Sequence, residues 1–94
     1  MHELDAASNN SVTLNPTATR LRIQLALLEM EFGESALAVS IMQNILEEIQ
    51  DDPSMWMLYA RALDRAGRRE ESQQAVGIAN QLLLLRSQNN ELHR

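Results

Sequence analysis

The chain contains one internal repeat, marked by two glycines, Gly33 and Gly67, that stand 34 residues apart. The residues on either side of each glycine align as two copies of one helix, turn and helix unit. Small residues coincide at two aligned pairs, which suits helices that approach closely: Ala26 with Ala60, and Ala38 with Ser72. A period of this length is typical of helical repeat proteins, in which stacked units bury a continuous core.

Two prolines predict where helices begin. Asn15 precedes Pro16, and Asp52 precedes Pro53. A short polar side chain caps free backbone N–H groups, and a proline in the first helical position has no N–H to leave unpaired. We therefore expect the first helix of each unit to begin at its proline.

The two glycines predict where these helices end. We expect Gly33 and Gly67 to adopt the left-handed cap conformation, which costs glycine no steric energy. The second helix of each unit is expected over about residues 34–50 and from about 68 to 86 or beyond. Within the first helix, spacings of three and four mark one apolar face: Leu21, Leu25, Leu28 and Phe32. No useful stretch alternates with a period of two, so the sequence predicts an all-α fold.

The second copy carries the residues of a known repeat signature. They flank the second glycine in this order: Trp56, Tyr59, Ala60, Leu63, Gly67, Ser72, Val76 and Ala79. This pattern resembles the tetratricopeptide repeat, whose signature runs Trp, Leu-Gly, Tyr, then Ala and Phe. The first copy departs from it, with Arg22 in place of the tryptophan.

The resemblance implies a tetratricopeptide-like right-handed solenoid of two antiparallel helix pairs. It places the repeats at about residues 19–52 and 53–86, within a helical domain of residues 16–94 whose last helix extends to about residue 90. Residues 1–15 are polar and rich in Ser, Asn and Thr, and are expected to form a flexible tail.

The residue types present argue against an enzyme. The chain has no cysteine, which excludes disulfides, zinc-thiolate sites and cysteine nucleophiles. Its two histidines, His2 and His93, lie next to the chain ends, where nothing would hold them in the geometry of a general base or metal ligand. Its three glycines are isolated and form no phosphate-binding loop. We therefore expect no catalytic residue, cofactor, metal or small-molecule substrate.

Charge and hydropathy limit the remaining partners. The net charge is −5, and the arginines around the second glycine are interleaved with carboxylates rather than gathered into a basic stripe. Nucleic-acid binding needs such a stripe, so it is not expected. No segment approaches the roughly 20 apolar residues of a membrane span, and the N-terminus lacks the features of a signal peptide. We expect a cytoplasmic protein without membrane insertion.

What remains is binding of another polypeptide. In tetratricopeptide folds the first helix of each pair lines a concave groove, and the resemblance places six candidate partner-binding residues there: Ile23, Leu27, Met30, Met57, Arg61 and Arg65. An exposed apolar strip usually marks a binding site, and methionines adapt to varied partner shapes. Such a groove favours an amphipathic helix or peptide as partner. The expected role is that of an adaptor or chaperone, similar in character to small bacterial tetratricopeptide-like proteins that chaperone secretion subunits.

Two alternatives stay open. Leu14 or the C-terminal segment could fold over the strip and make it part of the core. A run of four leucines at residues 82–85 also surrounds the last helix, so some of them must face away from the domain. Leu83 and Leu84 are therefore candidates for docking or for self-association into a homodimer, and the alternative function is that of a self-associating structural protein.

Overall fold

The computed structural model describes residues 16–92, which form four α-helices and no β-strand. In chain order these are α1 (Pro16–Phe32), α2 (Ser35–Glu48), α3 (Pro53–Arg65) and α4 (Arg69–Leu92). The all-α prediction is confirmed for this part of the chain. The predicted tail lies outside the described residues, and so do Leu14 and both histidines, His2 and His93.

The predicted start of the third helix agrees with the structure, because α3 begins at Pro53. Asp52 caps α3, because its side-chain Oδ1 accepts a hydrogen bond of 2.9 Å from the backbone N–H of Ser54. This contact satisfies one of the N–H groups that the first helical turn leaves unpaired.

Gly67 ends α3 in the predicted manner. Its φ is +81°, in the left-handed region. The backbone N–H of Arg68 donates to the carbonyl of Leu63 at 2.8 Å, and that of Gly67 donates to the carbonyl of Asp64 at 3.0 Å. These two bonds are those of the Schellman motif, which requires the left-handed residue and explains the glycine.

Gly33 has a different role, and the predicted left-handed conformation is wrong there. Gly67 is the one residue with positive φ in the described part of the chain. At Gly33 an added Cβ would meet the end of the Glu29 side chain, which would have to move. That side chain folds back over the turn, where its Oε1 accepts a 3.0 Å hydrogen bond from the backbone N–H of Glu34.

Each helix packs against the next one along the chain. The connections are two to four residues long, so consecutive helices run in opposite directions. The buried apolar residues form two clusters. One comprises Met30, Ala38, Val39, Ala60, Ala62, Leu63 and Ala75, and the other comprises Ala26, Met42, Ile45, Leu46 and Met55. Both clusters combine residues of α1, α2 and α3, so these helices share one core.

The small residues aligned by the repeat are all buried. Ala26, Ala38 and Ala60 are at most 3% exposed, and Ser72 is 9% exposed. The hydroxyl of Ser72 donates a 2.7 Å hydrogen bond to the carbonyl of Ala60, which joins α4 to α3 where their backbones approach. Small side chains at these positions are therefore required by the spacing of the helices.

Candidate protein-binding surface

A row of four large apolar side chains lies exposed along α1. The exposed fractions are 61% for Leu21, 46% for Leu25, 55% for Leu28 and 85% for Phe32. Residues three and four apart are neighbours on a helix surface, so these side chains form one continuous row, which we call the α1 stripe. A contiguous apolar surface of this kind commonly marks an interaction site.

The opposite face of α1 is the one that enters the core. Ala26 is fully buried and Met30 is 5% exposed, while Ile23 and Leu27 are half-buried against the two clusters. The expected exposure of Met30 in a groove is therefore wrong. Its side chain packs with Val39 of α2 and residues of α3, and it has almost no surface to offer a partner.

The positions of α3 that align with the α1 stripe are covered by α2. Counting 34 residues on from the α1 stripe gives three positions on α3, Met55, Tyr59 and Ala62, and the residue that caps its end, Ala66. Met55 is 8% exposed and clusters with Met42 and Leu46 of α2. The hydroxyl of Tyr59 accepts a 3.2 Å hydrogen bond from Nε2 of Gln43, also on α2. The same face is thus covered by a helix in the second unit and open in the first.

The predicted groove residues of α3 lie at the surface, but one of them already has partners. The guanidinium of Arg65 donates to the carbonyl of Met30 at 3.1 Å and to Oε1 of Glu31 at 3.3 Å. A cation at a helix C-terminus is stabilising, so Arg65 holds the end of α1. Met57 is 41% exposed and Arg61 is exposed. The binding role of the groove stays a prediction for the five exposed or half-buried candidates: Ile23, Leu27, Met57, Arg61 and Arg65.

A cleft that the sequence analysis did not predict lies between α2 and α3. Its volume is about 600 Å³, and it is lined by Gln43, Leu46, Glu47, Gln50, Trp56 and Tyr59. The rings of Trp56 and Tyr59 meet edge to face, with centroids 6.0 Å apart. The indole Nε1 donates a 2.8 Å hydrogen bond to the carbonyl of Gln50. The spacing of these two aromatic residues on one face of α3 was the available signal for the cleft.

The leucine run of α4 is exposed over most of its length. Leu83, Leu84 and Leu85 are 49%, 63% and 57% exposed, while Leu82 is half-buried. α4 has 24 residues and α3 has 13, so at about 1.5 Å per residue the end of α4 projects well beyond α3. Leu83 and Leu84 are free of the core, and their role in docking or self-association stays a prediction.

Several ionisable side chains of the described residues form ion pairs at the surface. Two hydrogen bonds of 2.7 Å join the Arg68 guanidinium to the Glu71 carboxylate. These bonds hold the pKa of Glu71 below its ordinary value and raise the pKa of Arg68. Within the described residues, no three His, Cys, Asp or Glu side chains are grouped so that they could hold a metal ion. None of the four helices combines the length and the apolar composition needed to cross a membrane.

Comparison of the chain with protein-family models, curated proteins and solved structures finds no match.

Proposed function

We propose that this protein is a protein-interaction module with a tetratricopeptide-like helical arrangement, and that its α1 stripe binds the apolar face of a partner helix. One observation carries the proposal. The α1 stripe stands one repeat period before Met55, Tyr59 and Ala62, positions of α3 that pack in the core or contact α2. The first unit thus presents a helix-packing face for which residues 16–92 supply no helix.

The dimensions of the stripe suit a helix better than an extended peptide. From Leu21 to Phe32 it follows about three turns, or roughly 16 Å, of a straight helix. A partner helix with apolar residues spaced by three and four would place one side chain against each of the four. Polar residues, among them Arg20, Gln24 and Glu29, lie beside the stripe and form a rim around its apolar centre. This is the usual anatomy of a protein interface.

The other apolar surfaces are less suited to this role. The leucines of α4 lie near the end of one helix and belong to neither core cluster. The α2–α3 cleft has a polar rim of Gln43, Glu47 and Gln50, and the polar atoms of both its aromatic rings are already bonded. The α1 stripe belongs instead to a helix whose other face is buried in the core, so the packing of that helix holds the four side chains in one row. An adaptor or chaperone role follows if the partner protein exposes the apolar face of this helix when it is not bound.

Site-specific photo-crosslinking in the native host tests the proposal. A benzophenone amino acid in place of Phe32 keeps an aromatic ring at the most exposed position of the stripe. The matched control carries the same group in place of Gln73, which is exposed on α4. We expect a specific product from position 32 and none from position 73.

The captured protein is then purified and titrated with the parent chain and with Leu25→Glu. A charge at the centre of an apolar interface is left unpaired on binding, so we expect this variant to bind at least about tenfold more weakly. Leu25→Met, which keeps the side chain apolar, is expected to bind like the parent. Equal binding by Leu25→Glu, or the same products from both crosslinking positions, would rule out the α1 stripe as the site.

A further inference from the structure

The charges of α1 lie in opposite halves of the helix. Arg20 and Arg22 are in its first half, and Glu29 and Glu31 are near its end. The first turn has no acidic residue and the last turn has no basic residue. From this pattern we infer that the helix bound by the α1 stripe is α1 of a second copy of this chain, running antiparallel across a two-fold axis. The inference rests on the proposed function and names the partner of that same surface.

An antiparallel register aligns both the apolar and the charged residues. Leu21 is brought opposite Phe32 of the second copy, and Leu25 opposite Leu28, so that every large side chain of the stripe meets another. At about 100° per residue, Arg20 and Glu31 lie on the same edge of the stripe. In this register they come within about two residues, or roughly 3 Å along the axis, of each other across the interface. An arginine side chain spans that offset, so Arg20 of one copy joins the Arg65 that already donates to Glu31 within the other copy. The two-fold axis forms this arrangement twice.

Parallel pairing of two α1 helices is disfavoured by the same charges. It would place Arg20 next to Arg20 and Glu31 next to Glu31 of the second copy. Like charges across the interface disfavour the parallel pairing, whereas opposite charges favour the antiparallel pairing.

Stacking of α1 on α4 of another copy is also disfavoured. Within the chain, Val39 and Leu46 of α2 cluster with residues of α3. The α4 residues 34 positions later are Gln73 and Asn80, both exposed and polar. α4 therefore presents a polar face at those positions, as terminal units of repeat arrays do. A head-to-tail stack would also grow without closing, whereas the two-fold pair is closed.

Sedimentation equilibrium of the full chain tests the inference. A single helix pair buries an interface near or below the low end of stable complexes, so we expect a weak dimer with a dissociation constant on the order of 10 µM. Leu25→Glu with Leu28→Glu should give a monomer with unchanged helical content, because both positions are exposed in the single chain. The matched control is Leu84→Glu, exposed on α4, which should leave the dimer intact. A dimer that survives the α1 changes and is lost in the control would overturn the inference in favour of α4.

A charge-reversal pair tests the antiparallel register itself. Arg20→Glu places two carboxylates against each other at both ends of the interface, and Glu31→Arg does the same with two guanidinium groups. Because Glu31→Arg also removes the pair with Arg65 within the chain, its helical content is compared with that of the parent. Each variant alone should dimerise about tenfold more weakly than the parent. An equal mixture of the two should recover parental association, because every reversed residue then faces its opposite charge. A mixture no stronger than its components would refute this register.

The two levels of the proposal fail separately. A parent chain that stays monomeric up to about 50 times the expected dissociation constant overturns the homodimer. In that case a crosslink from position 32 to a different protein would still support helix binding by the stripe. If position 32 gives neither a chain-to-chain product nor another protein, both the second copy and the proposed function are excluded.

Discussion

Two glutamate substitutions on opposite faces of α1, Met30→Glu and Leu28→Glu, should differ greatly in their effect on the free energy of unfolding. The two positions are only two residues apart. Met30 is 5% exposed within a core cluster, whereas Leu28 is 55% exposed on the α1 stripe. We expect Met30→Glu to leave the domain largely unfolded at pH 7 and Leu28→Glu to change the free energy of unfolding by no more than about 0.5 kcal/mol.

The magnitude at position 30 follows from two costs. A buried carboxyl without a partner takes up a proton, and raising its pKa from about 4.3 to 7 costs about 3.7 kcal/mol. Loss of the buried methionine side chain adds about 1.5 to 3 kcal/mol. The sum, roughly 5 to 7 kcal/mol, equals most or all of the stability of a small domain, which begins near 5 kcal/mol.

Urea unfolding followed by circular dichroism measures both variants against the parent. Met30→Leu is the control, because an apolar replacement of similar volume should cost less than about 1.5 kcal/mol. If Met30→Glu unfolds near the parental urea midpoint, Met30 is not buried and the faces of α1 are assigned wrongly. A severe loss of stability in Leu28→Glu would show instead that the stripe is covered within the single chain.

Three further predictions concern single contacts. Gly67→Ala should cost about 1 to 2 kcal/mol in urea unfolding, because its φ of +81° is unfavourable with a Cβ, whereas Gly77→Ala, with open space in α4, should gain about 0.5 to 1 kcal/mol. Similar shifts at the two glycines would contradict the assigned conformations. Trp56→Phe should cost about 1 kcal/mol by removing the indole hydrogen bond, and an unchanged urea midpoint would show that this bond adds no stability. An NMR titration should find the Glu71 pKa below its ordinary value, and Arg68→Ala should return it there. Because that folded-state pKa is lowered, the contribution of the pair is present above the ordinary carboxyl pKa and is lost as pH falls through the lowered value. An unchanged Glu71 pKa in Arg68→Ala would remove the ion pair as its cause.

The features that could be predicted from the sequence are those set by neighbours along the chain. Asp52 and Pro53 begin α3 because a capping oxygen and a missing N–H act within one turn. Gly67 ends α3 because its own φ is left-handed. At Gly33 the same reasoning fails, since this residue does not have a positive φ and the turn is instead joined by a hydrogen bond from the backbone of Glu34 to the side chain of Glu29.

Burial on α1 was decided by the tertiary structure. The helix has apolar residues on two opposite faces, one through Leu21, Leu25 and Phe32 and the other through Ala26 and Met30. Both faces follow the helical period, so periodicity alone predicts a helix without choosing the face that packs. Only the position of α2 and α3 makes that choice, because burial depends on residues distant in the chain.

The sequence by itself therefore determined that residues 16–92 form helices and where α3 begins, because capping and backbone sterics act locally. The repeat period also aligned positions that are buried in both units, such as Ala26 and Ala60. The tertiary structure decided that Met30 is core and that the α1 stripe is exposed. The physical reason is that an apolar residue loses contact with water only where another helix covers it. Which helix covers it depends on the packing of the whole domain and not on the type of the residue.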